Sequence, residues 1–332
     1  MAANRIAIAG AGSIGCYVGG MLAAAGRDVA MLARPRVMAE IQAHGLRLTG
    51  VGMLDRHVPA QRLTLSDDAA VFQDAAVILV TVKSADTAGI ADLIARYAAA
   101  EAVVVSLQNG VGNVAVLRER LPGRRVLGGM VPFNVTTPGD GHYHRATAGD
   151  IVIERDAVGT ATQLSVADLT MRPADDIVAV QWGKLLVNLN NALNALSGRP
   201  LREQLAQREW RRLFADQMAE GLAVLRAAGI RPVSATPIPA SLTPHLLRLP
   251  DFLFLRLLGR TMKIDPTARS SMWDDLQRGR RTEIDYLQGV IVQLAERHGI
   301  DAPLSRRIVG LVKRAEAAGQ GSPGLTPEET RG

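Results

Sequence analysis

Cysteine is almost missing from this 332-residue chain, with Cys16 standing alone. One thiol excludes an intramolecular disulfide and any metal site built from several cysteines, which argues against structural zinc and fits a reducing compartment. Aromatic residues make up only 4%. Long apolar runs are absent too: stretches such as "AAVILVTV" stop far short of the ~20 residues a membrane-spanning helix needs. The segment after Met1 lacks the layout of a signal peptide, so no membrane partner and a cytoplasmic location are expected. Acidic excess is lacking as well, since the net charge is +6. The arginines alternate with acids, as in "RRTEID" and "RPADDI", without the aromatic interleaving of a nucleic-acid stripe. A basic surface of this kind suits small anionic ligands instead.

What is present divides the chain in two. Short β-branched runs alternate with helical patterns through the first half, the signature of βαβ units and a parallel sheet. Strands are expected at "RIAIA" (5–9), "DVAML" (28–32), "AVILVTV" (76–82), "AVVVSL" (102–107) and "RVLGGMV" (125–131). "LRLTGVGMLDRHVPAQRLTL" reads as paired strands rather than a helix, and the strand signal fades after "PFNVTTPGDGHYHRATAGDIVIERD". From about Ile177 the pattern is helical. We expect an α/β Rossmann-like domain with a parallel sheet over 1–175 and an all-α domain over 176–332, ending in a loosely ordered polar tail, "GQGSPGLTPEETRG". The apolar faces of the helical half suffice for a core or for a homodimer.

"GAGSIG" follows the first strand directly and opens a helix, the context in which G-x-G-x-x-G signals a dinucleotide site. Gly10 makes the tight turn, Gly12 admits the pyrophosphate and Gly15 lets the helix approach the sheet. Ala11, Ser13 and Ile14 complete the phosphate-binding turn, whose helix N-terminus supplies positive potential. At the end of the second strand an NAD site would place an acid for the ribose 2′-hydroxyl, but this chain reads "MLARPR". Arg34 there suits the 2′-phosphate of NADPH, unless it is an ordinary solvated charge. Lys83 in "VTVKSAD" and Asn109 in "SLQNGVGN" stand at strand C-termini, the ligand-binding edge of such sheets. Asn134, after the fifth strand, is a further cofactor candidate.

Two features of the helical half are out of place. In "QWGKLLVNLNNALNALSG", Trp182, Leu185, Leu189, Leu193 and Leu196 form one apolar stripe, while Lys184, Asn188 and Asn191 at i, i+4 and i+7 share another face. Four asparagines in seven residues oppose helix formation, a cost that a function or a solvated face must explain. The second feature is Glu283 in "SSMWDDLQRGRRTEIDYLQGVIVQLAERHG". Read as one helix, its apolar stripe is Met272, Leu276, Leu287, Val290 and Leu294, with Glu283 at the centre and Asp285 pointing away. A carboxylate on such a stripe needs a partner, either a structural cation or a ligand hydroxyl. Asp265 as cap and Pro266 in the first turn would start this helix, and Ser270 and Ser271 are potential ligand donors.

The pieces "AGAGSIG", "TVKS", "SLQNGVGN", "GKLLVNLNNALNAL" and "ARSSMWDDLQRGRRTEIDYLQG" together resemble the ketopantoate reductases (2-dehydropantoate 2-reductases), NADPH enzymes of pantothenate biosynthesis, over nearly the whole chain. The resemblance implies a Rossmann-like domain joined to a helical one, with a 2-oxo acid substrate held in the cleft between them. It makes Lys184 the catalytic acid, with Glu283 beside it as the second catalytic candidate. Asn188 becomes a substrate ligand, and Ser271 and Glu283 hold substrate polar groups. Arg34, Lys83 and Asn109 serve the cofactor, Asn109 also approaching the substrate. Asn191 joins the substrate-binding candidates, although it and Asn194 are spaced differently from the simplest family pattern. Ala268 stands where the family often carries a substrate-binding asparagine. These departures leave open another branched 2-oxo acid as substrate, and a non-catalytic NADP(H) sensor is the reading from a different class.

Overall fold

A computed structural model describes residues 5–50, 52–234, 238–258 and 268–332. The chain separates into two units, 1–177 and 178–332.

The first unit holds twelve strands among its described residues: β1 (Arg5–Ala9), β2 (Val29–Leu32), β3 (Leu46–Gly50), β4 (Asp55–Val58), β5 (Leu63–Ser66), β6 (Ala75–Val80), β7 (Val103–Ser106), β8 (Val126–Met130), β9 (Val135–Gly139), β10 (His142–Arg145), β11 (Ile151–Glu154) and β12 (Met171–Ala174). Helices α1 (Ser13–Ala24), α2 (Pro35–His44), α3 (Thr87–Tyr97), α4 (Asn113–Arg120) and α5 (Thr160–Leu164) connect them. The main sheet runs β12-β11-β8-β7-β6-β1-β2-β5. Its six strands from β5 to β8 are parallel, with register set by pairs such as Ile8↔Met31 and Ile8↔Leu79. Parallel strands are covered on both faces, which is why "AAVILV" and "VVVS" are continuously apolar rather than alternating.

Within β1 the two faces differ in size. Ile6 and Ile8 join the larger core with Met31, Leu79 and Val105, while Ala7 and Ala9 face Ile78, Val80, Ile90, Ile94 and Leu117. Each fully buried isoleucine or leucine of this kind stabilises the fold by about 1.5–3 kcal/mol. Beyond α1 lies a second sheet, β4-β3-β10-β9, in which β3 and β4 form the antiparallel pair expected from the "LRLTG…" segment. The sequence pattern does not predict β12, because the strand signal ends at Asp156. It is a short strand at the end of the sheet, paired among the described residues with β11 alone, and such an edge position tolerates the Pro173 that hides it in the sequence.

The second unit is helical: α6 (Ile177–Asn188), α7 (Asn190–Ser197), α8 (Leu201–Ala206), α9 (Arg208–Ala227), α10 (Thr243–Leu247), α11 (Asp251–Leu258), α12 (Ser271–Gln277), α13 (Gln288–Arg297), α14 (Pro303–Ala318) and α15 (Pro327–Arg331). Trp182, Leu185, Leu189, Leu193 and Leu196 are all buried, as their spacing requires. Arg211 is fully buried yet satisfied: its guanidinium donates to the carbonyls of Leu205, Ala206, Leu247 and Leu249 and to Asp251 Oδ1 at 2.7 Å. Its cationic carbon also lies 4.1 Å from the Phe254 ring centroid.

Three expectations need correction here. The 184–196 segment is not one helix, since a turn at Leu189 separates α6 from α7. Nor is 270–299: α12 stops at Gln277, Gly279 takes φ +59°, and a 3₁₀ turn over Ile284–Tyr286 precedes α13. Glu283 therefore stands in the connection, not on a helical stripe. The tail is ordered as well, because Thr326 and Glu329 form a reciprocal capping box on α15, Ser322 donates to the Ala195 carbonyl and Arg307 to those of Glu329 and Thr330. Asp265 and Pro266 lie outside the described residues.

Candidate active site

The glycine turn occupies the C-terminal end of β1, beside β6, where the order of the parallel strands reverses. Gly10 adopts φ +110°, and a Cβ there would sit 2.6 Å from Val82 Cγ1. Thr81 Oγ1 donates to the Gly10 carbonyl at 2.6 Å, fixing the turn against β6. Gly15 is closed in by the Gly10 carbonyl, and a methyl added to it would meet Thr81 Oγ1 at 2.7 Å and Ile8 Cγ2 at 3.0 Å. At Gly12 the same added carbon meets nothing within 4 Å. Gly10 and Gly15 thus serve the protein's own packing, whereas Gly12 keeps space open. Above that space the N–H groups of Ser13, Ile14 and Gly15 donate to nothing among the described residues; the first helical bond is Cys16 N–H to Gly12 O, and Ala11 N–H is spent on the Leu32 carbonyl. Three free amides at a helix N-terminus with room in front fit a pyrophosphate.

Arg34 follows β2 and caps α2 from an extended conformation. It is exposed, and its guanidinium has no partner among the described residues. Lys83 and Asn109 follow β6 and β7, both exposed. Asn134 instead directly precedes β9 of the second sheet, its N–H donating to Thr147 Oγ1 and its carbonyl accepting from Ala146.

Reasoning from the sequence missed the buried polar network beneath Lys83 and Asn109. Ser106 Oγ donates to Gln108 Oε1, Gln108 Nε2 to Thr87 Oγ1 at 2.8 Å, and Thr87 Oγ1 to Asn113 Oδ1 at 3.0 Å. Asn113 Nδ2 then reaches the Asn109 carbonyl at 2.9 Å and Ser84 Oγ at 3.2 Å. This network ties the β6 and β7 loops together. Its only signal in the sequence is a polar cluster directly after two apolar strands.

In the helical unit, Lys184 and Asn188 lie one turn apart on α6. Burial pushes the Lys184 ammonium down to about 8. Asn188 is only 7% exposed, and its side-chain amide has no partner among the described residues. The other asparagines differ. Asn194 Nδ2 donates to the Arg199 carbonyl and to Gln204 Oε1, its Oδ1 accepts the Ser270 N–H at 2.8 Å, and Asn190 pairs with Gln204. Asn190 and Asn194 are therefore structural, and Asn191 is half-buried in α7.

Two distant segments are fastened to the α6–α7 junction. Ser270 caps α12, accepting from Trp273 N–H and donating to the Asn191 carbonyl at 2.9 Å, so the Ser270 hydroxyl is committed and exposed Ser271 begins the helix. Gln288 Nε2 donates to the Leu189 carbonyl at 2.8 Å, holding the segment that carries half-buried Glu283. Thr282 N–H in turn bonds Glu316, and Asp285 turns away to Lys313 at 2.7 Å. A weakened ammonium, an amide N–H and a hydroxyl are donors of the kind that stabilise a carbonyl oxygen gaining negative charge, whereas a carboxylate suits a substrate hydroxyl or the ammonium itself. No group of three or more His, Cys, Asp or Glu among the described residues could hold a metal. No helix among them is long and apolar enough to cross a membrane.

Family models describing ketopantoate reductase PanE/ApbA and its C-terminal region match residues 6–157 and 176–316. The chain belongs to the ketopantoate reductase family. A 2-dehydropantoate 2-reductase of Archaeoglobus fulgidus is 30% identical, with 96% of this chain and 99% of that protein covered. One from Halobacterium salinarum is 29% identical, covering 95% and 100%. Among solved structures, a PanE/ApbA family ketopantoate reductase from Ralstonia eutropha JMP134 superposes with TM-score 0.81 at 34% identity over 95% of this chain and 99% of the other. A D-mandelate dehydrogenase bound to NADH and anilino(oxo)acetate shares the fold, with TM-score 0.78 at 21% identity over 95% and 99%. As a member of this reductase family the protein is an oxidoreductase acting on a small molecule.

Proposed function

We propose that the protein reduces 2-dehydropantoate to pantoate with NADPH, the first unit holding the dinucleotide and the polar face of α6 serving the oxo acid. The observation that carries this reading is Lys184, a lysine whose ammonium is weakened to about 8 by burial one turn from an uncommitted, buried asparagine. Bound NADPH would supply a hydride to the C2 ketone. As the ketone oxygen becomes an alkoxide, the Lys184 ammonium gives it a proton, and burial makes that ammonium a stronger acid than a solvated lysine. Asn188 orients the substrate through its amide. Ser271 and Glu283 hold its polar groups, Glu283 also stabilising the Lys184 ammonium.

Gly12 with the amides of Ser13, Ile14 and Gly15 takes the pyrophosphate. Arg34 takes the 2′-phosphate, supported by its exposed guanidinium and the absence of an acid at the end of β2. Lys83 and Asn109 serve the same cofactor from the neighbouring loops. The buried, solitary Cys16 accords with a cytoplasmic setting. On α11, Phe252 and Leu255 are exposed one turn apart, an apolar pair that a homodimer would cover; light scattering measures the mass.

A related branched 2-oxo acid is the second reading, favoured by Ala268, which offers no side-chain amide where the family often has one. NADPH oxidation followed by absorbance across a panel of 2-oxo acids decides between them. The highest kcat/KM should fall on 2-dehydropantoate. A higher value on another acid selects the second reading, and NADPH binding without turnover on any acid refutes both.

A further inference from the structure

In the helical unit, away from Lys184, Asn188, Ser271 and Glu283 in lining and role, a cavity of about 800 Å³ opens along the last turns of α9. That volume lies within the range of small-molecule sites. Ala219, Leu222 and Arg226 form one wall, at the i, i+3, i+7 spacing of a single helix face. The turn after α9 supplies Ile230, Arg231 and Pro232; α10 contributes Pro244 and His245, and Arg248 follows directly after it.

The lining carries three arginines and a histidine but no carboxylate. Arg248 is paired outside it with Asp216 at 2.7 Å, and that same carboxylate also takes Arg331 at 2.6 Å. One acid thus serves two guanidiniums. Arg226 and Arg231 have no side-chain partner among the described residues. Glu220, the nearest acid along α9, is turned to the N–H groups of Leu304 and Ser305 at the start of α14 and cannot neutralise them. A concavity lined by apolar side chains and surplus guanidiniums is complementary to an anion carried on a short apolar body. Two unpaired guanidiniums and a third that shares its acid favour a dianion over a monoanion.

We propose that this cavity binds an organic phosphate, independently of the oxo acid and cofactor that the catalytic reading assigns. It also has a route to the chemistry. Val233 N–H, next to the lining, donates to the Ala179 carbonyl at 2.9 Å, joining the cavity wall to α6 a little over one turn before Lys184.

Calorimetric titration of the NADP⁺-saturated protein with octyl phosphate, octanoate and octanol tests the proposal, since saturation keeps the dinucleotide's own phosphate site filled. One saturable site is expected for octyl phosphate, about tenfold or more tighter than octanoate and tighter still than octanol. In the Arg226→Ala/Arg231→Ala double variant that affinity should fall by about tenfold or more, while melting temperature and kcat without octyl phosphate stay at wild-type values. Both side chains are exposed and bond to nothing among the described residues, so the variant should fold. Absence of a saturable site, equal binding by wild type and double variant, or octanoate binding as tightly as octyl phosphate overturns the assignment.

Discussion

Removing the Lys184 ammonium offers the sharpest test of the catalytic reading, because burial gives this group a signature that no exposed lysine would share. Its pKa is lowered from 10.5 to about 8. The protonated form is the donor, so kcat should be level below pH 8 and fall about tenfold per unit above it, whereas an ordinary lysine would move that limb to about 10.4. Lys184→Ala should lower kcat by about 10²–10⁴-fold, equivalent to roughly 2.7–5.5 kcal/mol of transition-state stabilisation, and leave NADPH affinity nearly unchanged. The same shift acts on stability. Between pH 8 and 10.5 the unfolded chain binds more protons at this lysine than the folded one, so its contribution to stability rises with pH through that window. Lys184→Met should flatten that rise. Steady-state rates by NADPH absorbance, dinucleotide binding by fluorescence and urea melts at about pH 7.5 and 10 supply the measurements. A Lys184→Ala enzyme with near-normal kcat, or one that retains the alkaline limb, would refute the assignment.

Four other substitutions separate packing from ligand contact. Gly12→Ala should leave the melting temperature within a few degrees of wild type yet weaken NADPH at least tenfold, whereas Gly15→Ala should lower the melting temperature as well, since its methyl has no room beside Gly10 and Ile8. If both variants melt early, Gly12 is structural too. Arg34→Asp should shift the NADPH/NADH preference by about 1–3 kcal/mol towards NADH, and an unchanged ratio of kcat/KM values would remove Arg34 from the 2′-phosphate site. Glu283→Gln keeps shape without charge and should depress kcat/KM for 2-dehydropantoate while the fold survives; a lower melting point with normal kcat/KM would make Glu283 a structural residue.

The parts of this molecule legible in its sequence are those set by local rules. Continuous apolar strands, a glycine turn at the end of the first of them and Arg34 after the second all follow from short-range pattern, and the sheet carries each one at the expected place. Helix interruptions are invisible there for a physical reason. Leu276, Ile284, Leu287 and Ile291 are all buried, so the apolar signal continues across a connection that is not helical, and only Gly279 inside the polar run "RGRRT" marks the stop. The tail misleads for the opposite reason, since its composition is that of a loop while its order comes from contacts with residues such as Ala195 and Arg307, far away in the chain. Asparagines pose a third problem. Spacing places Asn188 and Asn191 together, but only tertiary partners such as Gln204 and Ser270 reveal which of their neighbours are structural.

Helix α1 lies between two sheets, with every residue from Gly15 to Ala23 buried. A helix without an open face cannot fray, tilt or slide by itself, so its backbone amides should exchange with solvent only when the whole unit opens. The dinucleotide would then meet donors already fixed in direction, and its binding would order nothing in that turn. In the proposed dinucleotide site, control over cofactor affinity would accordingly fall to the exposed side chains of Lys83, Asn109 and Arg34, because α1 is clamped in place.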